Sequence, residues 1–226
     1  MNRIWSECIQ GIGTLYQSRS LRFNDLFRDA YTSAFHIPDG GKILEIGCGP
    51  GALAQALHRW YPAAAITAVD RDSGFIEYAR ENIAGVSFVE GDAAALAYAD
   101  NTFDVTISNT VAEHVEPSAF WREQYRVLKP GGVCLMLSAR RGITHAAPCL
   151  AEQSAMEREV WARVEQRAAE TDKQFGVCAY PMSEAEYPSV MAKYGFRNIS
   201  TEYITVNLTP DNPGYSAEMA HAMIEA

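Results

Sequence analysis

Residues 44–51 read Leu44-Glu45-Ile46-Gly47-Cys48-Gly49-Pro50-Gly51, an apolar strand running into a glycine loop with a carboxylate just ahead of the first glycine. Glycine at 47, 49 and 51 removes the Cβ from alternate positions of the turn. The backbone can then take positive φ, and a ligand can lie directly against main-chain N–H groups. Glu45 restricts which ligand fits, because it repels a dinucleotide pyrophosphate and attracts a group carrying an ammonium.

The loop alone has two readings. Gly47, Gly49 and Ala52 also satisfy the G-x-G-x-x-G/A dinucleotide fingerprint, and Asp70 follows near the acidic spacing of that pattern. Further segments lie downstream. Ala65 to Asp70 is a second apolar strand ending in an acid, and Val86 to Ala93 a third, ending in Gly91-Asp92-Ala93. Thr102 to Asn109 is a fourth, and Val127-Leu128-Lys129-Pro130-Gly131-Gly132 closes a helix before the apolar run Val133 to Ser138. The strands 43–46, 65–69, 86–90, 103–107 and 133–138 alternate with stretches of helical spacing, such as Leu53 with Leu57 and Trp121 with Tyr125 and Leu128. This alternation predicts an α/β fold with a doubly wound, mostly parallel sheet. All carboxyl strand ends then share one edge, where ligands of such sheets bind, and Glu45, Asp70, Asp92 and Asn109 sit at those ends.

The E-x-G-C-G-x-G, V-D, G-D-A, F-D and L-K-P-G-G motifs occur here in order, and over residues 42–138 the chain resembles the class I S-adenosylmethionine-dependent methyltransferases. The resemblance implies a Rossmann-like methyltransferase fold and S-adenosylmethionine as cofactor, with S-adenosylhomocysteine as product. It implies that Glu45 holds the methionyl ammonium and that the loop of Gly47, Cys48 and Gly49 lies beneath the ligand. Asp70 would accept the ribose hydroxyls, Asp92 the adenine amine, and the Ala93 N–H would meet the ring. Arg71 is a candidate to stack on adenine, and Asn109 to line the methionyl arm. In similar proteins an amino-terminal helical segment covers the cofactor, so Tyr16, Arg19 or Arg22 is expected at the methionyl carboxylate, an arginine bidentately.

Each residue also has a plainer role. Asp70 could cap the helix starting near Ser73, Asp92 could shape a turn, Arg71 could be solvated, Asn109 could cap the next segment, and Asp104, near the amino-terminal end of its strand, reads as structural. His114 is a weak candidate for a general base, since a histidine beside Glu113 at a helix start usually packs. His145, Cys149 and Cys178 match no standard metal spacing, and no metal is expected.

Four segments follow: a helical amino-terminal cover at 1–36, the cofactor-binding core at 37–138, a lid insertion at 139–182, and a carboxyl-terminal part at 183–226. The insertion starts with Arg140-Arg141-Gly142 and continues as an amphipathic helix over about 151–169, with Met156, Val160 and Val164 as its apolar stripe. Ser183 and Glu186 form a capping box for a helix running to Tyr194, Gly195 caps its end, and Phe196 to Leu208 is expected as a sixth strand. No seventh strand is evident, since Thr209 to Gly214 is a turn cluster and Tyr215 to Ala226 reads as a helix.

With 226 residues, 48% of them hydrophobic, the chain can bury one substantial core. A formal net charge of −9 argues against a nucleic-acid partner and leaves a small-molecule acceptor as the expected one. Five cysteines without a C-x-x-C, no secretory leader and no membrane-length apolar run predict a cytoplasmic protein with reduced thiols. Two other classes share parts of this pattern. A nicotinamide-dependent oxidoreductase would have the fold and first loop but gives no reason for the later motifs, and a non-catalytic S-adenosylmethionine-binding protein would keep the acids without turnover.

Overall fold

The computed structural model describes residues 2–138, 154–208 and 211–225. The amino-terminal segment forms one turn of π-helix at Trp5–Ile9, helix α1 (Ile12–Arg22), a 3₁₀ turn at Asp25–Phe27 and helix α2 (Arg28–Phe35). The core follows as β1 (Lys42–Ile46), α3 (Ala52–Trp60), β2 (Ala65–Asp70), α4 (Ser73–Asn82), β3 (Ser87–Glu90), β4 (Phe103–Asn109), α5 (Pro117–Val127) and β5 (Leu128–Leu137). Helices α6 (Ala155–Phe175), α7 (Tyr187–Lys193) and α8 (Ala217–Glu225) complete the chain.

The five strands form one all-parallel sheet in the order β3-β2-β1-β4-β5. Period-two alternation supplies both faces of the sheet. Ile43, Ile66, Val105 and Ile107 pack with Leu57 and Trp60 of α3, Ile76 of α4 and Tyr31 of α2. Leu44, Ile46, Val69 and Phe103 pack with Phe120 and Trp121 of α5 and Tyr187 and Met191 of α7. Strand order reverses between β1 and β4, so a cleft opens above their carboxyl ends.

Three details depart from expectation. Strand β5 begins at Leu128 rather than Val133: Leu128 pairs with Phe103, the next pair is Val133 with Val105, and Lys129 to Gly132 bulge out between them. Lys129 Nζ then bonds Asp104 Oδ1 at 2.7 Å, while Asp104 Oδ2 accepts the Lys42 N–H at 2.8 Å, which is the structural role expected of Asp104. Residues 197–208 form no strand among the described residues, although Ile204 and Val206 alternate inward against the core; burial is achieved without a hydrogen-bonded ladder. The insertion helix starts at Ala155 and ends at Phe175, and Met156, Val160 and Val164 are 74%, 54% and 48% exposed, so the apolar stripe does not pack on the domain. Arg140, Arg141, His145 and Cys149 lie outside the described residues.

Helix α7 begins at Tyr187. Glu186 accepts both the Ser183 N–H (2.8 Å) and the Ser183 hydroxyl (2.6 Å), so the capping-box pair forms one turn ahead of the helix. At its end Gly195 takes φ +105°, with Gly195 N–H to Ala192 O and Phe196 N–H to Met191 O, the paired bonds of a Schellman stop.

Candidate active site

The glycine loop turns inward. Gly47 N–H and Cys48 N–H both donate to Val69 O (2.7 and 3.0 Å), Gly49 N–H donates to Asp70 Oδ2 (2.8 Å), and Gly51 N–H donates to Cys48 O (3.0 Å). The expectation that a ligand would lie against these amides is therefore corrected: the end of β2 and the loop itself have taken them. Glycine is still required at 47, where φ is +70° and an added Cβ would lie 2.4 Å from Val111 Cγ2. Val111 thus sits directly over the loop.

Below the loop, Glu45 faces α3 and is 2% exposed, and its Oε2 has no hydrogen-bond partner. Burial pushes its carboxyl well above the usual carboxylate range; nearby Asp70 adds to the shift, and a hydrogen bond from the Ala54 amide opposes it. Burial also raises the Cys48 thiol, reinforced by Asp70 and Glu45, so Cys48 is held as a neutral thiol. Asp70 does not cap α4. Its Oδ1 accepts the Asp72 N–H at 2.9 Å and its Oδ2 the Gly49 N–H, and burial raises its pKa against the pull of those two amides.

The cap of α4 is Asp72, a residue the sequence reading passed over. Asp72 Oδ1 accepts Gly74 N–H (2.9 Å) and Phe75 N–H (3.2 Å), while Oδ2 accepts Trp5 N–H and Ser6 N–H, each at 3.0 Å. One fully buried carboxylate thus starts a core helix and ties the amino-terminal segment across the cleft. Asp72-Ser73-Gly74-Phe75 carried an N-cap signal in the sequence; its second pair of donors, 66 and 67 residues away, carried none.

These elements enclose a cavity of about 910 Å³, within the range of small-molecule and cofactor sites. Glu45, Gly47, Cys48, Gly49 and Asp70 form part of its wall, with Arg71, Asp92, Ala93, Asn109 and His114 along the strand ends and Arg19 and Arg22 on α1. Tyr16 is not in the wall; its hydroxyl bonds Gln55 Oε1 at 2.8 Å and its ring packs edge-on to Tyr78. Arg19 donates to Thr110 Oγ1 at 3.3 Å, and burial lowers its pKa to about 10, helped by Arg22 and opposed by Glu113. Thr110 has φ +54°, a strained setting for a β-branched residue, within the segment that brings Asn109, Val111 and His114 to the cavity.

Other roles are more local. Asp92 Oδ1 accepts the Ala94 N–H at 2.8 Å, making the turn that was its plainer reading, while it also lines the cavity. Arg71 stands 5.9 Å from the centroid of the Trp5 ring, a partner outside both readings of it. His114 packs edge-on to Trp5 (4.7 Å), and its Nδ1 accepts the Cys178 N–H at 2.9 Å. A neutral ring in that bond carries its proton on Nε2, so it presents a donor and holds no spare lone pair for a base. Tyr180 N–H donates to Glu113 O at 2.9 Å, and Val177, Cys178 and residues 180–184 line the cavity, which α6 does not. Among the described residues no cluster of three His, Cys, Asp or Glu could hold a metal, and no helix is long and apolar enough to cross a membrane.

Comparison with known proteins agrees with this architecture. Residues 44–136 match the family described as "Methyltransferase domain". The chain is 41% identical over 106 residues to the fatty-acid O-methyltransferase of Mycolicibacterium smegmatis, covering 45% of this chain and 38% of that protein. It is 37% identical over 103 residues to the ubiquinone/menaquinone biosynthesis C-methyltransferase of Desulfotalea psychrophila, covering 44% of this chain and 42% of that one. The matches therefore span about two fifths of these curated relatives. The fold resembles that of a SAM-dependent methyltransferase from Aquifex aeolicus, with TM-score 0.57 and 19% identity over 82% of this chain and 87% of that one. Residues 44–136 are thus similar to methyltransferase domains, and the fold is that of S-adenosylmethionine-dependent methyltransferase structures.

Proposed function

We propose that the chain binds S-adenosylmethionine in the 910 Å³ cavity and moves its methyl group to a small, largely apolar acceptor. The observation that carries this reading is the pairing of an inward-turned glycine loop with the unpartnered, buried Glu45 Oε2. A pyrophosphate needs loop amides and no carboxylate, so a nicotinamide dinucleotide is a poor fit. A cationic methionyl arm has the reverse need. Its ammonium would satisfy Glu45, its carboxylate would meet Arg19 or Arg22, and the ribose hydroxyls would use the remaining lone pairs of Asp70. Arg71, Asp92 and Ala93 lie where the adenine would follow.

When bound, S-adenosylmethionine supplies a methyl group on a sulfonium, already a strong electrophile, so acceleration rests on positioning and exclusion of water. The chain's part is to orient and to close. Trp5, Arg71 and His114 form the roof, held by Asp72, while Val177 to Glu184 close the side. Relatives that act on fatty acids and quinones favour an apolar acceptor, and Trp5, Ile9, Met182 and Tyr187 offer such a wall.

The test is transfer of labelled methyl from S-adenosylmethionine to a panel of apolar carboxylic acids, phenols and amines. Label in at least one product is expected, and label in none of them, despite cofactor binding, would favour the non-catalytic reading. Because the Nδ1 lone pair of His114 is taken, His114→Ala should keep turnover within about tenfold of wild type; complete loss with cofactor affinity intact would make it a true base. Hydrogen exchange checks closure. Added S-adenosylhomocysteine should slow amide exchange in residues 2–22 and 177–187 as well as in the loop, and protection confined to the loop would mean that neither segment closes.

A further inference from the structure

Glu113 stands apart from every residue assigned so far. It lies in the one-turn 3₁₀ helix Ala112–His114 that follows β4, next to Val111, whose methyls cover Gly47. Glu113 is one of the residues lining the cavity, and its Oε2 is buried without a hydrogen-bond partner. The Arg19 guanidinium, whose pKa the Glu113 charge raises against burial, gives its hydrogen bond to Thr110. The neighbouring protic groups are already used or unable to take a proton. His114 Nδ1 accepts the Cys178 amide, the oxygens of Glu116 accept Ser118 N–H and Ala119 N–H as the cap of α5, and the Tyr187 hydroxyl, pushed up to about 12 chiefly by burial, stays protonated.

Resting on the cofactor reading above, we infer that Glu113 is the carboxylate facing the transferred methyl, and that it accepts the hydrogen of a hydroxyl or amine acceptor. Such an acceptor must lose a proton as it is methylated. Its oxygen or nitrogen forms the bond to the methyl carbon, the carbon–sulfur pair returns to sulfur, and the proton passes to Glu113, leaving methylated product, neutral thioether and a carboxylic acid. A thiolate, or an acceptor that is already an anion, needs no such group. The inference therefore assigns the substrate class: hydroxyl or amine compounds of apolar body rather than thiolates or ready-made anions.

The test needs no known acceptor. Sinefungin carries an amine where S-adenosylmethionine carries its methyl, whereas S-adenosylhomocysteine has nothing there. Calorimetry on the full chain should give wild type a preference for sinefungin over S-adenosylhomocysteine of at least tenfold. Glu113→Gln should abolish that preference while its S-adenosylhomocysteine affinity changes less than threefold. Glu113→Asp, which keeps the charge on a shorter arm, should retain part of it and guards against a variant that fails to fold. A ratio equal in wild type and both variants would overturn the inference alone. Failure of wild type to bind S-adenosylhomocysteine would overturn the cofactor reading and this inference together.

Discussion

Asp70→Ala is expected to lower the stability of the ligand-free chain by about 2–4 kcal/mol and to weaken S-adenosylhomocysteine binding by more than tenfold. The stability loss comes from the two amides that Asp70 satisfies, Gly49 N–H and Asp72 N–H, since an orphaned buried donor costs roughly 1–3 kcal/mol. The binding loss has two sources. The ribose loses its charge-assisted acceptor, and the loop loses the bond that fixes Gly49 beside Asp70. Denaturant unfolding and calorimetry measure the two separately. Unchanged affinity in a folded variant would remove Asp70 from the site and leave it only the loop tie.

Glu45→Gln should do the opposite to stability and the same to binding. In the ligand-free protein the Glu45 pKa is raised, so the folded state binds more protons than the unfolded one between the ordinary carboxylate range, about 4.3, and the raised value. Its contribution to stability is full below that range and is lost as pH rises through the folded pKa. Replacing it by Gln removes this loss, and the ligand-free variant should gain about 0.5–2 kcal/mol at neutral pH. Binding is the other side of the exchange. An ammonium requires the ionised carboxylate, so wild-type affinity should rise with pH across the same window and binding should release protons. Glu45→Gln should lose roughly 1.5–3 kcal/mol of affinity, about 10–150-fold, and show a flat profile. A variant that binds as tightly as wild type with the same pH dependence would show that Glu45 does not meet the ligand.

The sheet was legible because all five strands show an apolar run and the first three also a glycine or acid at the end. Glu45, Gly47 and Asp70 could be placed at one edge from parallel order alone. Chemistry that depends on orientation was not legible. Glycine spacing shows where the loop bends, but not that its amides point to Val69 O and Asp70. Asp72 showed its local cap and hid the donors at Trp5 and Ser6, because bonds across 66 and 67 residues leave no periodic trace. Glu113 was hidden by its neighbour: histidine is the usual base, and only the Cys178 amide on Nδ1 shifts attention to the carboxylate beside it. At the carboxyl end, Phe196 to Leu208 was expected as a strand, but apolar residues there report burial on one side, and a strand also needs a neighbour to bond. Amphipathicity misled in the same way at α6, where Met156, Val160 and Val164 share a stripe that faces solvent.

The most direct test is a pair of calorimetric titrations of the full chain at neutral pH, one with S-adenosylhomocysteine and one with NADH. The predicted result is saturable binding of S-adenosylhomocysteine and no measurable heat with NADH. Binding of NADH, or no binding of S-adenosylhomocysteine, would contradict the account at its centre.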